Sequence, residues 1–450
     1  MTPRILLTAL CLIFAACGGG GGARRITYNC PANAAEIAAL EAELPAFTAR
    51  TGIDLALNPF SGEEKLYAMI AAGGAPDVFY TNSVVRDRLA SEGHLLDLRP
   101  MLAKDAAFAA RLHDDIRARG TSIDGGVYSI GNWTFTAGVY CNRALFADAG
   151  LPLPDAEWTW DDMLRAARRL TKDSDKDGTP DCYGIFIPSH FIECFEHMNH
   201  APVTRDALTL EIPAESREVY EKYIALMKEG VMPDIRRVQA MGMQAAQMLA
   251  QGRVAMLVEA VPNASLYDAL KEGWDVVPLP RFAGKEPRYF RAASGGLSIS
   301  AATGDAQSAW TVLRWIIGEA GFYRPNPVLR DADVVAGWQM RYPHLATTRF
   351  AEVWRRSVSP QSADLRYFAR FSSWTMTAIM ERLQPQLDRL WARDITVAEV
   401  VAQVPAINVS ARRALDEALG NSGMKQSFRD ALRASASRAV APAADAGAPR

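Results

Sequence analysis

The sequence predicts an α/β protein built as two lobes. Runs of β-forming residues, such as 25–28 and 53–57, alternate with segments whose apolar residues recur at helical spacing, such as Ile37, Leu40 and Leu44. At 450 residues, the chain is longer than one hydrophobic core normally serves, so we expect two cores.

The elements of the central part follow from local signals. Residues 139–141 are β-formers and predict a buried strand. Asn142 then caps a short helix that ends at Gly150, and Thr159 caps a second helix with two aspartates in its first turn. Further along, apolar spacing predicts helices over residues 216–230 and 308–317.

Composition excludes some function classes. The chain is 49% hydrophobic and carries a formal net charge of −2, which is typical of a globular protein and offers no electrostatic basis for binding nucleic acid. We also find none of the nucleophile-elbow, zinc-protease or P-loop patterns that would indicate an enzyme.

The amino terminus predicts export. An apolar run precedes Cys17 and is too short to span a bilayer, so residues 1–16 predict a cleaved signal peptide. The sequence F-A-A-C resembles the lipobox of bacterial lipoproteins, which implies acylation of Cys17; plain secretion is the alternative. Residues 17–24 would then form the lipid anchor and a glycine linker, and residues 434–450 are expected to be an unfolded tail.

The stretch 138–184 carries a family resemblance. Its motifs follow the order Y-x-N-x-x-L-F-x-x-A-G-L-P, W-x-W-D-D-x-L, L-T-K-D and D-x-D-G-x-P-D-x-Y-G. This order resembles the family 1 extracellular solute-binding proteins, the maltose-binding-protein-like substrate receptors of bacterial sugar importers. Residues 65–80, 241–260 and 274–300 resemble further segments of the same family.

The resemblance implies a periplasmic-binding-protein-like fold of type II, with two α/β lobes, a hinge and a ligand cleft between them. Lobe 1 would comprise residues 25–133 plus 282–345, and lobe 2 residues 134–281 plus 346–433. The implied protein is a non-enzymatic monomer without cofactor, anchored outside the cytoplasmic membrane, that passes a mono- or oligosaccharide to the permease of an ABC importer. Three alternatives remain open at this point: a secreted glycan hydrolase, a surface adhesin or scaffold, and a binder of a polyol, a sugar phosphate or a cationic molecule.

Candidate ligand contacts come from the ends of strands, where α/β sheets gather their ligands, and from family positions. Trp133 lies in the expected first hinge strand, and its flat apolar face suits a sugar ring. Glu259 ends a strand of lobe 2 and would accept hydrogen bonds from hydroxyls or pair with a cation. For Tyr80, Trp133 and Trp374 the alternative is core packing, and for Glu259 it is a surface charge. The full candidate set is Asn29, Pro31, Ser61, Tyr80, Asn82, Trp133, Glu259, Asn263, Ser294, Gly295 and Trp374.

The acidic loop after residue 172 is a candidate structural calcium site. Asp173, Asp175, Asp177 and Asp181 space oxygen ligands as calcium loops do, but Gly184 stands where an EF-hand has its bidentate glutamate. A solvated acidic turn is the alternative.

The cysteines suggest a disulfide. Export permits disulfides, and we expect a bridge between Cys182 and Cys194, which are close in sequence on either side of a turn. A zinc site made by Cys194 and the neighbouring histidines 190, 197 and 200 is a second possibility, against a loop that merely contains histidines.

Overall fold

The fold was analysed in a computed structural model. It describes residues 24–30, 34–59, 62–201, 208–292, 295–320, 326–359, 362–364 and 373–440. The predicted signal peptide and the lipidation site Cys17 lie outside the described residues. Within the described part, no helix is both long and apolar enough to cross a bilayer.

The strands alternate with helices along most of the chain. The strands are β1 (Arg24–Cys30), β2 (Ile53–Pro59), β3 (Val78–Thr81), β4 (Ile130–Gly131), β5 (Thr136–Asn142), β6 (Met256–Val261), β7 (Trp274–Pro278), β8 (Tyr289–Arg291), β9 (Gly296–Ile299) and β10 (Ser362–Asp364).

The helices are α1 (Ala34–Thr51), α2 (Glu63–Ala71), α3 (Ser83–Ser91), α4 (Arg99–Lys104), α5 (Ala106–Arg111), α6 (Asp114–Gly120), α7 (Arg143–Asp148), α8 (Trp160–Leu170), α9 (Ile192–Met198), α10 (Ala214–Lys228), α11 (Ile235–Met241), α12 (Ala245–Ala250), α13 (Ala264–Ala269), α14 (Ala306–Gly318), α15 (Val334–Arg341), α16 (Phe350–Ser357), α17 (Ser373–Trp391), α18 (Val397–Gly420) and α19 (Gln426–Val440). Short 3-10 turns lie at Ser189–Phe191 and Pro343–Thr347.

The first sheet has the order β2-β1-β3-β9-β4. β1 pairs in parallel with β2 and β3, and β9 is antiparallel to both β3 and β4. Alternate residues of β1, namely Ile26, Tyr28 and Cys30, join a core with α1 and α14, as the period of two in a strand requires. The α/β prediction for this part of the chain is confirmed.

The second sheet is antiparallel, with β5 between β6 and β7. Six of the seven residues of β5 are buried because the strand has a core on each face. Val139 and Cys141 belong to one core cluster, whereas Tyr140 belongs to another. A small parallel pair of β8 and β10 lies apart from both larger sheets.

The helix caps agree with the sequence analysis. The Asn142 side chain accepts hydrogen bonds from the first turn of α7. Thr159 and Asp162 form a reciprocal capping box at the start of α8.

Two stretches near the carboxyl end differ from expectation. The resemblance implies that residues 282–345 belong to lobe 1, yet Val334 and Trp338 of α15 pack into the core cluster of Tyr267 and Trp274, which flanks the second sheet. The composition predicts an unfolded tail from residue 434, but α19 continues to Val440 because Phe428 and Leu432 anchor it in a cluster with α3.

The predicted disulfide is wrong, since Cys182 and Cys194 are both free thiols. Cys182 pairs with Lys172, and the chain then runs alongside the second sheet through the bridges Tyr183–Val254 and Phe186–Leu257. This extended passage separates Cys182 from Cys194, which lies on α9.

Candidate functional site

Three chain segments run side by side between the two sheets. The first, after β4, pairs with the second through Phe135 and Ala292, whose backbones exchange hydrogen bonds of 2.9 and 2.8 Å. The third contains Asn326, which is 2% exposed and donates to the carbonyl of Asn132 at 3.1 Å. These three adjacent crossings link the two halves and are the place where one sheet can move relative to the other. Among the described residues, α17 and α18 also connect the halves, since each has residues in the core beside the second sheet and in the cluster that holds α3.

Trp133 lies in the first crossing and contacts both halves of the molecule. It is partly buried and packs against the core of the first sheet and against the aromatic cluster beside the second. Its ring meets that of Trp338 edge to face, with centroids 5.9 Å apart. Any solute that reaches Trp133 therefore contacts a residue shared by the two halves.

The first sheet presents the ends of its strands to these crossings. Thr81 at the end of β3 and Gly131 at the end of β4 both pair with Gly296, so the first crossing leaves from the edge at which β3 ends. Asn29, near the end of β1, is 4% exposed, and its Oδ1 has no hydrogen-bond partner among the described residues. Because a buried carbonyl without a partner is costly, this atom is suited to accept from a solute hydroxyl.

Tyr80 and Gly295 meet at the same edge. A methyl group added at Gly295 would stand 2.6 Å from the Tyr80 hydroxyl oxygen and 2.5 Å from the Thr81 carbonyl oxygen. The glycine is therefore required here because backbone and phenol approach each other closely. Part of the Tyr80 side chain also packs on the core of the first sheet, as the core-packing alternative expects.

Asn82 has a local structural role. Its Oδ1 accepts from the backbone N–H of Val85 at 2.9 Å as the cap of α3, and its Nδ2 donates to Glu63 at 2.6 Å. With both ends of the amide engaged, Asn82 has little left to offer a solute, and its place among the ligand contacts stays a prediction.

The second sheet turns a polar strand end to the same crossings. Val261 at the end of β6 pairs with Thr136, the first residue of β5 after the crossing. Glu259 lies on this strand and accepts from the backbone N–H of Ala260 at 2.7 Å. Asn263 follows as the cap of α13, accepting from Leu266 at 3.0 Å.

Burial perturbs the pKa of the Glu259 carboxyl. Desolvation raises the pKa of its carboxyl, and hydrogen bonds from the Ala260 backbone and the Asn263 side chain oppose that rise. Among the described residues, no cationic side chain contributes to this balance, so the carboxyl is available to hydrogen-bond donors or to a positive group on a solute.

The remaining candidates divide into two groups. Trp374 packs edge to face on Phe428, with centroids 5.8 Å apart, in the cluster that holds α3 and α19. This contact agrees with the alternative that Trp374 packs in the core, at least for the side of the ring that meets Phe428. Pro31, Ser61 and Ser294 lie outside the described residues.

The acidic loop brings three of its four predicted ligands together. Oxygens of Asp173, Asp175 and Asp177 all lie within 4.8 Å of one another. Asp181 instead accepts from the backbone N–H of Ser174 at 2.8 Å. Oxygen donors suit calcium, but the loop also stabilises itself, since Asp173 accepts from Gly178 at 3.0 Å. Calcium binding stays a prediction that calorimetric titration tests. Within the described part of the chain, Cys194 and the nearby histidines do not form a comparable group.

Sequence reasoning missed two residues of this region. Asn326 joins the third crossing to the first, and an Asn-Pro dipeptide at 326–327 was the available signal. Trp338 supports Trp133 and stacks on Tyr342, with centroids 5.7 Å apart and planes 13° from parallel. Its position on a short helix far along the chain gave no local signal.

Two α/β halves, three adjacent crossings and polar strand ends facing those crossings define a bilobed binding protein. The match to known families is specific: residues 32–321 fit the family described as bacterial extracellular solute-binding protein, and the chain belongs to that family. It is therefore an exported binding protein and not an enzyme.

Solved structures show the same fold at low identity. An ABC substrate-binding protein from Listeria monocytogenes in complex with cycloalternan is 19% identical, with a TM-score of 0.65 over 87% of this chain and 99% of that chain. A solute-binding protein from Thermotoga lettingae bound with α-D-tagatose is 17% identical, with a TM-score of 0.65 over 86% and 100% of the two chains. One from Agrobacterium vitis with bound D-mannitol is 18% identical, with a TM-score of 0.60 over 88% and 99%. No curated protein matches the sequence.

Proposed function

We propose that this chain is the substrate-binding component of an ABC importer and that it captures a carbohydrate or polyol by closing its two lobes around it. The observation that carries the proposal is Trp133, which lies in a crossing between the sheets and packs on the cores of both. Closure would be driven by contacts that only the closed state makes, and the solute would leave chemically unchanged.

The chemistry of the strand ends supports an uncharged, hydroxyl-rich solute. Trp133 offers an apolar face, while Asn29 and Glu259 offer hydrogen-bond acceptors on opposite sides of the crossings. Sugars and polyols combine apolar C–H faces with hydroxyl donors, which matches this combination. Solved relatives with bound cycloalternan, α-D-tagatose and D-mannitol support the same class of solute. The acceptor at Glu259 also keeps a cationic solute as the second candidate.

The proposal includes the membrane anchor. Acylation of Cys17 would hold the protein at the outer side of the cytoplasmic membrane or facing the periplasm, next to the permease that receives the solute. Mass spectrometry of the mature amino terminus distinguishes an acylated Cys17 from a plain cleaved end.

A thermal-shift panel tests the solute. Purified protein is unfolded in the presence of maltotriose, cycloalternan, D-tagatose and D-mannitol, with arginine as a cationic comparison. A ligand that binds only the folded state at 100 times its Kd adds about 2.7 kcal/mol to stability. A compound that raises Tm is then followed by solution scattering. Stabilisation without a decrease in radius of gyration would contradict lobe closure.

Paired variants locate the solute. Trp133→Phe keeps a ring against Trp338 but removes the indole surface, and we expect it to weaken binding by about tenfold, which corresponds to about 1.4 kcal/mol. Trp391→Phe is the matched control, because Trp391 is equally aromatic but packs on Tyr220 and Tyr223 in the helical core. Equal affinity in wild type and Trp133→Phe would remove Trp133 from the site.

A further inference from the structure

A small cavity lies beside the crossings, between the start of β5 and the end of β7. None of the residues that line it is among the proposed carbohydrate contacts. The start of β5, the end of β7, β8 and α16 form its walls. Its volume is about 20 Å³, which is enough for one water molecule or one oxygen atom of a bound group.

Arg288 brings a positive charge to this cavity, and among the described residues no carboxylate forms an ion pair with it. Its side chain is partly buried, and its hydrogen bond is to the carbonyl of His197 at 3.4 Å. Other inward-facing arginines have carboxylates: Arg291 lies 2.6 Å from Asp115, and Arg349 lies 3.2 Å from Asp275. Burial without such a partner lowers the pKa of the Arg288 guanidinium. A cation held partly out of water gains the most from an anion placed next to it.

The neighbouring groups add donors to the cavity. Arg356 donates to the Tyr289 hydroxyl oxygen, and its guanidinium also lies 5.4 Å from the centre of that ring. The Tyr289 hydroxyl therefore accepts from Arg356 and keeps its own proton for another acceptor. Ser357 already donates to the carbonyl of Trp354 at 2.7 Å. No described residue lining the cavity carries a carboxylate.

We propose that this cavity is a binding site for an oxyanion, either a carboxylate or a phosphate group, held by the guanidinium of Arg288 and the hydroxyl of Tyr289. One oxygen of the anion occupies the cavity, and the remainder of the group extends toward its open side. The site is separate from the proposed carbohydrate contacts, so its occupation is measurable without any sugar.

Calorimetric titration of the full mature chain with sodium phosphate and, separately, with sodium acetate tests the site. Three variants are compared with wild type. Arg288→Gln removes the charge, and Arg288→Lys restores a charge without the guanidinium. Lys285→Gln removes one charge from the same connection between β7 and β8 but does not line the cavity. Circular dichroism checks that each variant is folded.

We expect saturable 1:1 binding of at least one of the two anions to wild type and to Lys285→Gln, with at least a tenfold loss in Arg288→Gln and an intermediate affinity in Arg288→Lys. Binding of phosphate alone, or of acetate alone, identifies which oxyanion the site takes. No saturable binding to wild type would overturn the proposal. Equal binding to all four proteins would also overturn it, because the anion would then be adventitious. If Arg288→Gln does not fold, wild type is compared with Arg288→Lys alone. A lower affinity in Arg288→Lys then supports the proposal, and equal affinity overturns it.

Discussion

Replacing Gly295 with alanine should loosen the first sheet at the edge that faces the crossings. The new methyl group would stand 2.5 Å from the Thr81 carbonyl oxygen and 2.6 Å from the Tyr80 hydroxyl oxygen, whereas ordinary contacts begin at 3.4 Å. Since Thr81 is fixed by pairing with β9, the strands must separate by roughly 1 Å, and overpacking of this kind costs about 1–3 kcal/mol. Alanine also restricts the unfolded chain, which returns about 0.4–1 kcal/mol. The net expectation is a loss of about 1–2 kcal/mol.

Gly304→Ala is the matched control. A methyl group there meets no atom within 4 Å, so only the unfolded-chain effect operates and stability should stay equal or rise slightly. Urea unfolding followed by tryptophan fluorescence compares the midpoints of the three proteins. Because the substitution also displaces the Tyr80 hydroxyl, a compound found in the thermal-shift panel should bind more weakly to Gly295→Ala. Midpoints for Gly295→Ala and Gly304→Ala that agree within error would refute the close approach at Gly295.

Three other predictions follow from buried groups. The folded protein keeps the proton of Glu259 to a higher pH than the unfolded chain, so Glu259 lowers the free energy of unfolding as pH rises above its ordinary pKa of 4.5. Glu259→Gln should therefore have a higher urea midpoint than wild type at pH 8 and the same midpoint at pH 4. The reverse order would contradict the raised pKa. Asp275→Asn should lower the free energy of unfolding in urea by about 3 kcal/mol. Asp275 is 5% exposed and accepts hydrogen bonds from the backbone of Arg349 at 2.7 Å and from the side chain of Arg349 at 3.2 Å. Unchanged stability would exclude a stabilising ion pair between Asp275 and Arg349. Thiol titration of unreduced, folded protein should find that Cys182 and Cys194 react slowly, since burial raises the pKa of both thiols. Both should react once the protein is unfolded. Two unreactive cysteines in the unfolded protein would indicate a disulfide.

Local chemistry was enough to predict most elements. Asn142 and Thr159 cap helices through hydrogen bonds to residues two or three positions away, so the short sequence around each contains the whole interaction. The strand through residues 139–141 was equally clear, because a strand buried on both faces is apolar at every position. The family motifs in 138–184 agree with the family match over residues 32–321.

The site was only partly predictable, because some of its contacts join residues that are far apart in the sequence. Trp133 and Glu259 were chosen from their places at a crossing and a strand end, and the structure has Trp133 in the first crossing and Glu259 on β6, two residues before that strand ends. Asn82 directly follows β3, but its amide is occupied by the cap of α3 and by Glu63, a contact 19 positions away that no local pattern reveals.

The sequence by itself determined the α/β class, the buried strand at 139–141, the caps at Asn142 and Thr159, and the family resemblance. Only the tertiary structure decided that Trp338 supports Trp133, that Cys182 and Cys194 are free thiols, and that Arg288 has no carboxylate partner among the residues that the structure describes. Caps and periodicities depend on residues a few positions apart, which the sequence displays directly. The other features depend on which distant segments the folded chain brings together, and for Trp133 and Trp338 that distance is about 200 positions.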